Sequence, residues 1–293
     1  MLDVGLCAQI ACIWEATARK PGNVHRYRDF TDTTYPDFLL SAAAIAPVMT
    51  AACQRRVGVT VLDAVRATRR VVGTNTNLGM VLLLAPLAVV PAEEELRSGV
   101  ERVLATLDVE DARRVYKAIR LASPGGLGHA SKQDVHAEPT QTLRQVMTLA
   151  ADRDLVALQY ANGFAEIFDD GAPAVLTGLE RTGSLEGAIL FAHLHLLSRH
   201  PDTLIARKRG WAEGEEAARR AAAVLDAQWP KERAGWTALS QLDTWLRAEG
   251  HQRNPGATAD LVTACLFVLL RENTITLPLQ SPWAAGFDHA GNY

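Results

Sequence analysis

The chain has 293 residues, 48% of them hydrophobic, enough for one large domain or two modest ones to bury a core. Its formal net charge of -3 argues against nucleic acid or an anionic membrane as the main partner. The four cysteines, Cys7, Cys12, Cys53 and Cys265, have no CxxC or metal-type spacing; the first and last lie in apolar helical patterns and are expected as buried free thiols, which fits a reducing cytoplasm.

Apolar residues recur with helical spacing almost everywhere, and β-branched alternation is rare. Leu2, Leu6, Ile10, Ile13 and Trp14 form one stripe of a helix predicted over residues 2–18, which Pro21-Gly22 ends. Asp3 and Gly5 precede any apolar run and no basic segment leads it, so no signal peptide is expected. A second helix begins near Tyr35-Pro36 and runs to Cys53, with a kink expected at Pro47, where one helical N–H is missing. Further helices are predicted over residues 60–72, 78–90, 93–107, 109–121, 140–150, 154–168, 184–198, 210–227, 234–249 and 257–271. The most apolar stretch, residues 78–91, is too short to span a bilayer and contains Pro86, so it reads as a buried core helix. Residues 274–279, "TITLPL", alone resemble a strand, and one strand makes no sheet. With no repeat and no low-complexity linker, the expectation is an all-α protein. Residues 1–293 form one compact multi-helix domain in it, with its site at the helix-junction loops.

Polar residues gather at five junctions, residues 20–37, 73–79, 123–134, 200–210 and 251–260, and these are expected to meet at one end of the bundle. In "GTNTNLG", Thr74, Asn75, Thr76 and Asn77 can all cap the following helix, but four polar residues exceed that need. The helix N-terminus and Gly79 would also suit a phosphate. "SPGGLGHASKQDV" carries Gly125, Gly126 and Gly128 without P-loop spacing; it reads as a flexible turn, or as a close approach to ligand with Asp134 as a metal carboxylate. "RHPDTLIARKRG" places Arg207, Lys208 and Arg209 where a helix start would prefer acids, which favours an anionic ligand. "RNPGATADL" is good helix-start chemistry, with Thr258 and Asp260 in the first turn, and Asp260 could equally hold Mg²⁺. His193 and His195 are two apart and face different ways; no zinc signature, GxSxG elbow or dinucleotide fingerprint is present.

The segments "KPGNV", "GTNTNLG", "DT" followed by basic residues, and "NPGATADL" occur in an order that resembles the triphosphoribosyl-dephospho-CoA synthase family over about residues 10–270. Each motif is weak alone; four in order are fairly specific. The resemblance implies an all-α transferase that uses ATP as a glycosyl donor. The family's best-known members join the ribose C1 of ATP to the 2′-hydroxyl of 3′-dephospho-CoA and expel adenine. By that resemblance Lys20, Arg26, Arg207 and Lys208 face phosphates, with Gly22, Asn23 and His25 in the same loop. Asn75, Thr76, Asn77, Gly79 and Thr258 bind the nucleotide, Asp202, Asp260 and Asp134 hold Mg²⁺, and Glu15, Asp202 and Asp260 are the catalytic carboxylates, Glu15 as candidate base. The chain departs from the pattern in "HRYRDFTDTTYPDF", which replaces a Gly-Ala-His-x-Asp segment, and at Leu204, where the family has Asn. Both departures touch the acceptor side, so the resemblance implies a divergent branch whose acceptor need not be dephospho-CoA; the expected acceptor is 3′-dephospho-CoA or a related coenzyme precursor. Two other readings remain open from the residues: an all-α Mg²⁺ hydrolase of a nucleotide or ADP-ribose-type substrate, and a non-catalytic nucleotide-binding module. The alanine-rich apolar helices are compatible with a homodimer.

Overall fold

The structure is a computed structural model that describes residues 2–125 and 132–284. Fourteen α-helices follow one another among the described residues: α1 (Val4–Thr17), α2 (Tyr35–Thr50), α3 (Val57–Val71), α4 (Leu78–Val89), α5 (Leu96–Thr106), α6 (Val109–Ala122), α7 (Leu143–Thr148), α8 (Leu155–Asn162), α9 (Ala172–Thr182), α10 (Leu185–Arg199), α11 (Thr203–Arg209), α12 (Trp211–Asp226), α13 (Arg233–Arg247) and α14 (Gly256–Arg271). A 3₁₀ turn (Ala52–Gln54) follows α2, and a π-helical turn (Glu166–Gly171) leads directly into α9. The all-α expectation holds: no strand forms among the described residues, and "TITLPL" instead folds back on α14, with the Thr274 and Ile275 amides donating to the Leu269 carbonyl. No helix among the described residues is long and apolar enough to cross a membrane.

Two helices, α4 and α14, are apolar on nearly every side, and each lies inside the assembly rather than on it. They pack on each other, α1 and α3 cover them from one side, and α8, α9 and α10 surround α14 on the other. The outer helices are amphipathic or locked by caps. Asp108 and Asp111 form a capping box at the start of α6, and Asp154 accepts from the Val156 and Ala157 amides at the start of α8.

The structure corrects three element boundaries. The helix expected over residues 154–168 breaks at Gly163 and Phe164, both in the left-handed region with φ of 73° and 63°. Helix α9 escaped sequence reading, and its Gly178 allows the contact with α10: a Cβ there would lie 2.8 Å from the Ala188 Cα. The third correction is functional. Residues 203–209, read as a loop, form α11, so Arg207, Lys208 and Arg209 occupy the last turn of one helix, not the first turn of the next. Cations at a helix C-terminus satisfy its dipole, and the charge mismatch that suggested an anion disappears.

Candidate functional site

The five polar junctions do converge. The loop after α1 reaches the start of α14, where a Cβ on Gly22 would lie 3.0 Å from the Pro255 Cδ, and Asp32 pairs with His251 at 3.3 Å. Lys208 donates to the His251 carbonyl at 3.1 Å, and a Cβ at Gly125 would lie 3.7 Å from the Lys208 Cε. Gly126, Gly128 and His129 lie outside the described residues.

Asp260 is the centre of this convergence. It sits in the first turn of α14 and presses against the first turn of α4, so closely that a Cβ on Gly79 would lie 1.9 Å from its Oδ2. Gly79 is therefore needed for contact between two helix starts. Asp260 is half-buried but ringed by protein, and burial raises its carboxyl well above the usual range. The negative charges of Glu15, Asp202 and Asp154 push in the same direction, and the Met80 amide opposes them.

Around Asp260, several expected ligands are fully engaged elsewhere. Asp202 is buried and N-caps α11 through the Leu204 and Ile205 amides at 2.9 and 3.1 Å. Its other oxygen accepts from the Thr258 amide and hydroxyl at 2.7 and 2.8 Å, which ties α11 to α14. With four hydrogen bonds on two oxygens, Asp202 clamps α11 to α14 with Thr258 as its partner. Lys20 is likewise engaged within the protein. It is fully buried, pairs with Glu15 at 2.9 Å, and donates to the Glu15 and Ala18 carbonyls, so it locks the loop to α1. Glu15, the candidate base, is buried by the same pair, and that burial raises its carboxyl despite the Lys20 charge.

Arg26 is held at 2.8 Å by Glu186, a fully buried carboxylate on α10 that also takes Arg19. Gly22 adopts φ 75° and its amide donates to Asp243 on α13 at 2.7 Å. Asn23 offers its carbonyl to Arg247 at 2.6 Å, while its buried Oδ1 has no partner. His25 is buried, and that desolvation, with Lys20, Arg247, Arg19 and Arg26 around it, drops its pKa to about 3. Of the "GTNTNLG" residues, Asn75 is exposed and caps the Leu78 amide at 3.1 Å. Thr76 and Asn77 are buried and turn toward Ser41 of α2 and Thr68 of α3. Arg207 pairs with Asp154 at 3.2 Å. Asp134 caps its own turn through the His136 amide at 2.8 Å, next to Tyr116 on α6. Among the described residues no three His, Cys, Asp or Glu side chains converge to hold a metal, so the expected Asp134, Asp202 and Asp260 set is not assembled.

Glu186 and Asp154 went unremarked in the sequence because an acid in or just before a helix's first turn reads as ordinary capping, and Asp243, near the end of α13, because an acid four residues before Arg247 reads as an ordinary helical ion pair. Only their partners, 160 or more residues away for Glu186 and Asp243, reveal what they hold.

Two surface cavities of about 500 and 490 Å³ lie elsewhere. The second is lined by Val57 at the start of α3 and Val89 at the end of α4, a helix length of roughly 18 Å from the α4 N-terminus. Neither contains a residue of the converging junctions.

Residues 1–277 match the family described as ATP:dephospho-CoA triphosphoribosyl transferase. The chain belongs to this family of transferases. It is also similar to the crystal structure of a proposed triphosphoribosyl-dephospho-CoA synthase from Archaeoglobus fulgidus, with 25% identity and a TM-score of 0.62 over 80% of this chain and 98% of that one. A comparison with curated proteins finds none that matches. Against the family pattern, Leu204 packs its Cδ2 where a Cβ on Gly256 would lie 2.6 Å away, so the departure from Asn is an apolar contact between α11 and α14.

Proposed function

We propose that the protein joins the ribose C1 of ATP to the 2′-hydroxyl of 3′-dephospho-CoA and releases adenine. The C1–N bond to adenine breaks, a C1–O bond forms, and the hydroxyl proton leaves with the base. Positive charge develops at C1 as that bond loosens.

The observation that carries the reading is the electrostatic layering around Asp260. The carboxyls of Glu15, Asp154, Asp202 and Asp260 interact beneath the start of α14, and since Lys20 pairs with Glu15 and Arg207 with Asp154, Asp202 and Asp260 are the two without a paired cation among the described residues. Arg207 and Lys208 stand at the rim. A carboxylate cluster under C1 stabilises an oxocarbenium-like transition state, and rim cations suit a triphosphate. Thr76 and Asn77 shape the start of α4, while Asn75, exposed, caps Leu78 through its Oδ1 and keeps its Nδ2 for the nucleotide.

Mg²⁺ fits these residues in one restricted way. Asp202 is saturated, so a three-carboxylate cage is not available; Asp260, half-exposed and over-supplied with negative neighbours, is the residue that would hold the ion. Mg²⁺ usually takes one or two carboxylates and completes its shell with phosphate oxygens and water. It would neutralise triphosphate charge beside Asp260. A homodimer belongs to the same reading: Leu6 on α1 and Leu40 on α2 are 41% and 48% exposed, and sedimentation at micromolar concentration tests it.

Incubation with ATP, Mg²⁺ and dephospho-CoA is expected to give free adenine in step with acceptor consumption. Asp260→Asn should lower kcat by roughly 10²-fold or more with the fold kept. ADP or AMP without adenine would remove the glycosyl-transfer reading. Adenine release that needs only water would replace it with hydrolysis.

A further inference from the structure

Tyr27 stands at the tip of a tight hairpin closed by paired hydrogen bonds between His25 and Arg28, of 3.0 and 2.8 Å. Its ring is 69% exposed. A lone exposed tyrosine needs no explanation, but this one is built into place. The Arg26 guanidinium lies 4.7 Å from the ring centroid and that of Arg19 lies 5.8 Å away. Both guanidiniums are held by the fully buried Glu186, and Arg26 also donates to the Thr17 carbonyl at 3.1 Å. The His25 ring meets Tyr27 edge-on at 6.5 Å, and its Nδ1 accepts from the Tyr27 amide at 3.3 Å. Trp283 stands 5.8 Å from Arg26. The result is an aromatic ring backed by cations, which draw electron density from it and favour stacking with an electron-rich purine.

We propose that Tyr27 is the platform on which the adenine of the acceptor stacks, and that it helps set acceptor specificity. The inference rests on the proposed transfer to dephospho-CoA and adds the residue that reads the acceptor. The position suits that role. Arg26 donates to the carbonyl of Thr17 at the end of α1, the helix that also carries Glu15. Lys20, in the same loop, holds Glu15. The loop that carries the platform is therefore the one that holds Glu15 of the acidic cluster. In dephospho-CoA the adenine is attached to the ribose carbon next to the one that bears the reacting 2′-hydroxyl. An acceptor with its hydroxyl at the cluster must place its own base close by. Exposed Arg28, on the same hairpin, offers a cation for the acceptor's diphosphate.

The test is a split of Michaelis constants, with calorimetric binding beside it. Tyr27→Ala is expected to raise KM for dephospho-CoA about 10-fold, in line with the loss of one base–aromatic stack, while KM for ATP stays within about twofold. Tyr27→Phe, which keeps the ring, should restore the acceptor KM. An unchanged acceptor KM in Tyr27→Ala, or a rise in the ATP KM instead, overturns the proposal. If the unaltered protein releases no adenine with dephospho-CoA, the proposed function fails. Calorimetry of dephospho-CoA against the unaltered protein and Tyr27→Ala then decides the platform separately: weaker binding to the variant supports it and equal binding overturns it.

Discussion

Gly79→Ala tests the contact on which the site is built. A methyl group there would lie 1.9 Å from the Asp260 Oδ2 and 2.5 Å from its Cγ. The carboxyl must retreat by about 1 Å to reach even the closest tolerable approach, and the space behind it holds the like-charged Glu15 and Asp202. Overpacking of this kind typically destabilises by about 1–3 kcal/mol. Alanine in a helix is otherwise favoured over glycine by roughly 0.5–1 kcal/mol. The single variant should therefore lose up to about 2.5 kcal/mol. In an Asp260→Ala background the clash is gone, and Gly79→Ala should instead stabilise by roughly 0.5–1 kcal/mol. Urea unfolding of all four proteins measures the coupling as a shift in midpoint at constant slope. If Gly79→Ala has the same effect in both backgrounds, the two side chains do not meet as described.

Lys20→Met should destabilise by about 3–5 kcal/mol, since it strands Glu15 as a buried unpaired carboxylate, and thermal unfolding should show the loss shrinking when Glu15→Met is added. Asp202→Ala removes the cap of α11 and its tie to Thr258, four hydrogen bonds in all, and should cost about 2–4 kcal/mol. Amide exchange is expected to rise first in α11 and the start of α14, and uniform exchange would contradict the clamp. Burial, with the Lys20 charge nearby, also depresses the His193 pKa to about 3. The unfolded chain binds that proton near pH 6.5, so the stability due to neutral His193 is present above about 6.5 and lost as pH falls toward 3. Between those limits the unaltered protein should lose up to about 1.4 kcal/mol per pH unit relative to His193→Gln. Parallel stability curves for the two proteins would refute the assignment.

Much of this molecule is written in local pattern. The 3.6-residue apolar period marks most of the fourteen helices, and Pro21-Gly22, Asp108 and Pro255 mark where chain direction changes, because caps and breakers act over a few residues. The density of polar residues at five junctions announced a site for the same reason: a helical frame this apolar has few other places for them. What each residue does there was decided by partners distant in sequence. Lys20, Arg26 and Asp202 look like ligands in one dimension, yet Glu15, Glu186 and Thr258 consume their hydrogen-bonding capacity. The basic triplet changed meaning once Asp202 capped a helix before it instead of a loop. Gly79 read as a residue lining the nucleotide, and the space beside it is filled by a carboxylate from the last helix. Sequence determined the helices and the end of the bundle where polar groups collect. Only the tertiary structure decided which charges cancel inside the protein, as Glu15 with Lys20 and Asp154 with Arg207, and that Asp260 has no paired cation among the described residues, because charge pairing depends on distances that local pattern does not encode.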